Sequence, residues 1–338
     1  MRAWTLIKHG EPKAAFALRD HPDPQPGPGQ LLIRCEGFGL NYADVMAARG
    51  LYREAPPLPS ILGYEVVGRV EQCGEGTPNE FLGKRVVAMT RFGGYAELAI
   101  TDHRACAIIP DGMPLGEAAA LATQGCTAWY AARILCPLRK GERVLVHSAA
   151  GGVGQLLVQL AVHSGCEVFA VVGNKEKVSV VKAMGAAHAI DRSAEDYAQT
   201  IRSVLGDDRL DVSFNAVGGT SFKQDLSLIG SGGRLVLFGG AERGGIGLFG
   251  TLRFVWRMGI LLPIFLMIHS RSLLGINMLR ISEHKPEVIA ECLHAVIAAH
   301  RTGVLRPHVH ATYAASELPE AQLALASGRT MGKVVVKW

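Results

Sequence analysis

The chain has 338 residues, of which 19% are charged and 49% belong to the AVILMFWYC group; this excludes a disordered or polyelectrolyte protein and leaves room for two domains or one large one. Lys plus Arg number 35 against 30 Asp plus Glu, and a net charge of +5 is too small and scattered for a nucleic-acid footprint. The seven cysteines are an odd number at irregular spacings, with no CxxC pair and no leader ahead of them, so free thiols in a reducing cytoplasm are expected and no zinc site follows from them.

Up to about residue 120 the chain is rich in Gly and Pro, with short β-favouring runs at 31–35, 65–71, 85–88 and 95–100. Turn clusters such as Pro22-Asp-Pro-Gln-Pro-Gly-Pro-Gly29 separate them, which predicts an irregular β-rich domain. The texture then changes. Apolar strands at 143–147, 167–172, 187–190, 211–216 and 234–238 alternate with helices beginning at Gly152, Lys175, Ala194 and Thr220, the pattern of a doubly wound α/β domain with a parallel sheet covered on both faces. A basic apolar segment follows. Between Ala241 and Arg280, five arginines (Arg243, Arg253, Arg257, Arg271, Arg280) face one acid, Glu242, and are interleaved with Phe249, Phe254, Trp256, Leu261, Leu262 and Phe265. Its most apolar stretch, 259–268, contains Pro263, is fenced by Arg257 and His269, and is too short to span a bilayer. A last strand is expected at 273–277. The tail, a helix at 285–300 and a strand at 333–337, is too small to bury a core alone, so it is read as returning to the first domain.

The sharpest motif is Val144-Leu-Val-His-Ser-Ala149-Ala-Gly151-Gly152-Val153-Gly154: a strand, a glycine-rich turn with Ala149 at the first glycine position, then a helix. Small residues at Ala149, Gly151 and Gly152 let the backbone approach a pyrophosphate. The N–H groups around Val153 and the helix dipole stabilise its charge. NAD sites carry an acid at the tip of the next strand; here the tip reads Gly173-Asn174-Lys175-Glu176-Lys177, with Arg192 beyond the third strand. An acid-free tip flanked by Lys177 and Arg192 suits a 2′-phosphate and favours NADPH. Lysines that open a helix also serve simply as a solvated face.

Taken in order, Asn41-Tyr-Ala-Asp44, Arg49-Gly-Leu-Tyr52, Leu62-Gly-Tyr-Glu65, Gln124-Gly-Cys-Thr127, Ala149-Ala-Gly-Gly-Val-Gly154, Phe238-Gly239 and Gly332-Lys333 resemble the medium-chain dehydrogenase/reductase superfamily across nearly the whole chain. Within it they look like the zinc-free quinone oxidoreductases. The apolar insert at 248–268 and the ending Ser316-Glu-Leu-Pro-Glu-Ala are similar to the vesicle amine transport protein branch. The resemblance implies a Rossmann domain at 123–277 inserted in a GroES-like catalytic domain formed by 1–122 and 278–338. It also implies a nicotinamide neighbourhood at Thr127, Val217, Phe238 and Gly239, and a pyrophosphate contact from Lys333.

Departures from the zinc-dependent relatives are equally telling. Asn41 stands where they place a metal-ligating Cys and Tyr64 where they place the His of Gly-His-Glu; 90–106 offers one thiol in place of their Cys-rich lobe. The closest remaining ligand pairs, His308-Val-His310 and Cys292-Leu-His294, lack further partners, so no metal is expected. Without a Lewis acid, hydrogen bonds must polarise the acceptor, which suits substrates that are already electrophilic. Asn41 is the candidate for positioning and oxyanion support, with a cap or turn role as the alternative. Tyr52 resembles by position the proton-donating Tyr of enoyl-thioester reductases, against aromatic packing as the alternative. Tyr64 is a pocket wall or a second donor. The expectation is an NADPH-dependent, metal-free, cytoplasmic and homodimeric reductase of quinones or α,β-unsaturated carbonyl compounds. The rival is a membrane- or partner-associated protein that retains a cofactor pocket with little turnover, touching a bilayer through 248–268.

Overall fold

The computed structural model describes residues 1–241, 248–259 and 261–338; Glu242 and Arg243 lie outside the described residues, as does the side chain of Phe249. Sixteen described strands follow in chain order. They are β1 (Arg2–Leu6), β2 (Phe16–Asp20), β3 (Gln30–Leu40), β4 (Ser60–Ile61), β5 (Glu65–Cys73), β6 (Arg85–Met89), β7 (Leu98–Asp102), β8 (Cys106–Ile108), β9 (Arg143–Val146), β10 (Glu167–Val172), β11 (His188–Asp191), β12 (Leu210–Asn215), β13 (Ile229–Leu237), β14 (Ser272–Gly275), β15 (Val309–Ala314) and β16 (Lys333–Lys337). The chain divides into two compact units: Met1–Cys126 joined by Met278–Trp338, and Thr127–Asn277.

The first unit carries a seven-stranded sheet in the order β15-β16-β3-β5-β6-β8, with β7 also paired to β3, and a small sheet β2-β1-β4. Strand β16 pairs parallel with β15 and antiparallel with β3, so Lys333-Val-Val-Val is buried inside the sheet. Val334 and Val336 join Trp4, Leu6, Phe38, Leu62, Val66 and Tyr95 in one core. The tail is larger than its sequence suggests: β15 and the helices Met278–His284 and Leu318–Ala326 accompany the expected helix, which spans Pro286–Arg301. Strand β15 escapes notice because Val-His-Ala-Thr-Tyr-Ala alternates between exposed and half-buried positions at a sheet edge and has no apolar run. Strand β3 runs to Leu40, well beyond the expected 31–35, through Gly37 and Gly39. Both glycines are close-approach residues: a Cβ at Gly37 would meet the Leu115 side chain, and one at Gly39 would meet Lys333 and Glu65.

In the second unit six parallel strands take the order β11-β10-β9-β12-β13-β14, with helices Gly152–His163, Glu176–Ala183, Tyr197–Leu205 and Thr220–Leu228 as the crossovers. This is the doubly wound order, whose direction reverses between β9 and β12. Leu145, Phe169, Val171, Ile190, Ile201, Phe222 and Leu235 form its core. The basic apolar segment lies between β13 and β14. Its helix Leu248–Met258 sets Phe254 against Gly218 and Gly240, whereas the helix Pro263–His269 has no buried residue. No described helix is long and apolar enough to cross a membrane.

Candidate active site

In the second unit, the carboxyl ends of β9, β10, β12 and β13 bring together most of the cofactor residues expected from sequence. After β9 the chain turns through Ser148, at φ +51°, and Gly151 caps the helix that begins at Gly152. Ser148 O accepts the Gly151 N–H at 2.8 Å, and Ala149 N–H donates to Val171 O at 3.0 Å, which ties the turn to β10. A Cβ at Gly154 would run into Ser148 O and Ala149 Cα, both backbone, so this helix can pack on its turn only with glycine there. Gly152 and Val153 are half-buried, with their backbone at the helix N-terminus.

At the tip of β10, Gly173 is exposed and Asn174 accepts the Lys177 N–H through both its carbonyl and its side-chain oxygen, each at 3.3 Å. Arg192 N–H donates to Val172 O at 3.1 Å, which brings the exposed arginine to the same tip. The Lys177 ammonium is held below its ordinary range, first by burial and then by the Arg192 charge. The neighbouring Glu176 carboxylate opposes that shift. At the end of β12, Asn215 Oδ1 accepts the N–H groups of Val217 and Gly218, both at 2.8 Å, and so fixes the turn that carries Val217. Phe238 N–H bonds to Asn215 O at 3.1 Å, and a Cβ at Gly239 would meet Ala216 O, so Phe238 and Gly239 lie along this turn. Thr127 is buried in the helical run that opens this unit.

The first unit holds a separate polar cluster. Asn41 precedes the helix Tyr42–Ala48, and its backbone N–H donates to Asp44 at 2.8 Å. Its amide is committed to a buried ion pair: Nδ2 donates to Glu65 Oε1 at 3.0 Å, and Oδ1 accepts from Lys333 Nζ at 3.1 Å. Lys333 and Glu65 form a salt bridge with neither side chain exposed, and Glu65 also accepts the Thr123 N–H at 2.7 Å. The expected pyrophosphate contact by Lys333 needs correction. Its ammonium is enclosed and spent on Glu65 and Asn41, where burial pushes its pKa down and Glu65 opposes that shift. The sequence missed Glu65 as the organiser of this cluster, and the glycine at position 39 was the available signal.

Burial raises the Asp44 carboxyl to about 7, helped by Glu65 and opposed by the Asn41 N–H, Tyr95 and Lys333. Tyr52 and Tyr64 meet edge to face, with ring centroids 6.1 Å apart, and Phe92 packs on Tyr64 at 5.1 Å. The Tyr64 hydroxyl is buried, and the Tyr52 hydroxyl is its polar neighbour. Burial raises both phenols, so each keeps its proton at neutral pH.

Residues 27–112 match the family described as alcohol dehydrogenase GroES-like domain, and 152–294 match zinc-binding dehydrogenase. A quinone oxidoreductase from Pseudomonas aeruginosa is 31% identical over 329 residues, covering 97% of each chain. The chain belongs to the quinone oxidoreductase type of the medium-chain dehydrogenase/reductase superfamily. Within that superfamily it is also similar to the human synaptic vesicle membrane protein VAT-1 homolog, 30% identical over 334 residues, 97% of this chain and 84% of the relative. Among solved structures, the quinone oxidoreductase of Thermus thermophilus, determined with NADPH, superposes with a TM-score of 0.81 at 30% identity and full coverage of both chains. One family description names zinc, and the residues present do not fit it. Asn41 and Tyr64 are not zinc ligands, the Lys333 ammonium already sits beside Glu65, and among the described residues no three His, Cys, Asp or Glu side chains converge on one point.

Proposed function

We propose that this chain is an NADPH-dependent oxidoreductase that reduces quinones or α,β-unsaturated carbonyl compounds without a metal. The observation that carries the reading is the tip of β10, where no acid ends the strand, Asn174 holds the start of the helix that carries Lys177, and the Arg192 backbone is bonded to Val172. The Lys177 and Arg192 side chains hold the 2′-phosphate. The N–H groups at Gly151, Gly152 and Val153, approached past Ala149 and Gly173, hold the pyrophosphate, while Thr127, Asn174, Val217, Phe238 and Gly239 line the remaining cofactor surface. NADPH, when bound, supplies a hydride. Tyr52 then delivers the proton that the reduced acceptor requires, from a phenol that burial keeps protonated at neutral pH. Tyr64 offers its buried hydroxyl, the neighbour of Tyr52, to the acceptor oxygen, and Asn41 offers its remaining amide N–H. With hydrogen bonds alone to polarise the acceptor, quinones and enones are the fitting class, because their charge delocalises onto oxygen as hydride adds.

NADPH oxidation against a panel of small quinones and enones tests this directly. NADPH should bind at least about tenfold more tightly than NADH, roughly 1.4 kcal/mol, and Arg192→Ala should weaken NADPH more than NADH. Tyr52→Phe should lower enone turnover about 10- to 10³-fold and leave NADPH affinity unchanged. Equal affinity for the two cofactors, or no turnover with any acceptor, overturns the reading. Seven free cysteines support a cytoplasmic setting for this chemistry.

A second reading has one observation in its favour. Leu262, Ile264, Phe265, Met267 and Ile268 are all exposed, and the preceding helix carries Arg253 and Arg257, which suits either a homodimer contact or a peripheral membrane contact through 248–268.

A further inference from the structure

The buried polar groups of the second unit converge on Asp225, which the proposed reaction leaves unused. Asp225 has no exposed surface and belongs to the helix Thr220–Leu228. Its carboxylate receives four side-chain donors. His147 Nε2 lies 2.9 and 3.0 Å from its two oxygens; the Tyr197 hydroxyl donates at 2.9 Å, Ser213 Oγ at 2.8 Å and Asn215 Nδ2 at 2.6 Å. These donors come from the end of β9, from β12 and from the helix Tyr197–Leu205, and three of them, His147, Ser213 and Asn215, flank the point where the strand order reverses.

The chemistry of this cluster dictates an orientation. A carboxylate only accepts, so the Asn215 amide must present its nitrogen to Asp225 and its oxygen to the opposite side. On that opposite side are the Val217 and Gly218 N–H groups, both bonded to Oδ1. Ser221 Oγ, 2.9 Å from Asn215 Nδ2, in turn donates to Gly218 O at 2.7 Å. The same carboxylate also anchors His147, whose next residue, Ser148, begins the glycine-rich turn, and His147 N–H donates to Phe214 O at 3.0 Å. One buried anion therefore sets the amide of Asn215 and holds both turns in register.

We propose that Asp225 is a positioning residue for the dinucleotide: through His147 and Asn215 it couples the glycine-rich turn at 148–154 to the 216–219 turn, so that the two ends of one extended cofactor meet preset backbone. This inference rests on the cofactor reading above. Asp225→Asn keeps the shape but leaves one acceptor oxygen where four donors converge: its NH₂ faces either the His147–Tyr197 side, releasing the hold on His147, or the Asn215–Ser213 side, where the Asn215 amide flips and turns its nitrogen to the Val217 and Gly218 N–H groups. Asn215→Asp in the same chain restores an acceptor on both sides.

The test measures equilibrium binding of NADPH and of 2′,5′-ADP, a fragment that lacks the nicotinamide end, by fluorescence and calorimetry, with thermal melting as the check on folding. Asp225→Asn should weaken NADPH about tenfold or more and 2′,5′-ADP less than about twofold, and N215D/D225N should bring NADPH affinity back to within about threefold of the parent. Equal weakening of both ligands, or no weakening of either, overturns the inference. Should Asp225→Asn lose its fold, recovery of folding and NADPH affinity in the double variant supports the coupling, and a double variant no better than the single one overturns it. A parent protein that binds no 2′,5′-ADP overturns the cofactor reading and this inference with it.

Discussion

Asp44 couples proton binding to folding. Its carboxyl is held at about 7 by burial, among Glu65, Lys333 and Tyr95, whereas in the unfolded chain it titrates near the ordinary value of about 3.9. Between those values the folded state holds a proton that the unfolded state has released, so this group's stabilising contribution is complete below about pH 4 and is lost as pH rises through about 7. Asp44→Asn cannot titrate and keeps an acceptor for the Asn41 N–H. Melting curves taken from pH 4 to 8 should therefore show the parent losing stability relative to Asp44→Asn, by up to about 1.4 kcal/mol per pH unit within that window. Parallel profiles would show that Asp44 ionises in the fold as freely as in water. Gly154 gives a second residue-scale prediction. Its missing side chain is required by backbone on the preceding turn, so Gly154→Ala should weaken NADPH about tenfold or more, or lower Tm, as titration and melting would record. Residue-level chemistry was partly legible: the glycine-rich turn and the acid-free tip are local in sequence and followed from spacing. The Glu65–Lys333 pair was not, because its members lie 268 positions apart and meet only where β16 closes on β3.

At the scale of elements, the alternating strands and helices of the second unit were readable because each buried parallel strand is a continuous apolar run. The first unit was harder. Its β3 carries two glycines for close approach, and the helix Tyr42–Ala48 is too short to develop a periodicity. The helix Pro263–His269 and strand β14 form a further element-scale feature. Leu262, Ile264, Phe265, Met267 and Ile268 are at least 49% exposed, and β14 is the last strand of its sheet. Among the described residues no strand pairs with the outer edge of β14, and exposed apolar surface of this extent calls for a cover. Changing Leu262, Phe265 and Met267 to Ser should shift the solution mass from dimer to monomer if a second copy supplies that cover. If anionic lipid supplies it, the parent should sediment with anionic vesicles, and rising salt should release it, because arginine attraction is screened. Light scattering and vesicle sedimentation separate the two outcomes, and a protein that remains monomeric and vesicle-free would remove both roles from this helix.

For the whole molecule, the division into two compact units means that a ligand of one need not stabilise the other. NADPH at a hundred times its Kd contributes about 2.7 kcal/mol to whatever unfolds with its site, roughly 5–10 °C for a unit of that size. A calorimetric scan should show that shift in the transition of the 127–277 unit. Chelators should move neither Tm nor turnover, since Asn41 and Tyr64 bind no zinc and Lys333 already neutralises Glu65. Stoichiometric zinc whose removal abolishes turnover would overturn the metal-free mechanism.

The placement of β16 also bears on how the chain is made. Val334 pairs with Leu40, and Lys337 with Gly37, in the interior of the larger sheet. A ribosome adding about 5–20 residues per second needs roughly 15–60 s to bring the second partner out after the first. Throughout that interval β7 covers only Gln30–Arg34 on that edge of β3, the Gly37–Leu40 stretch has no neighbour, Glu65 has no counter-ion, and the 127–277 unit has time to fold. The nascent chain thus holds a finished nucleotide-binding unit and a first-unit sheet with a vacant slot along Gly37–Leu40, and any strand that reaches the slot before β16, from this chain or a neighbouring one, competes for it.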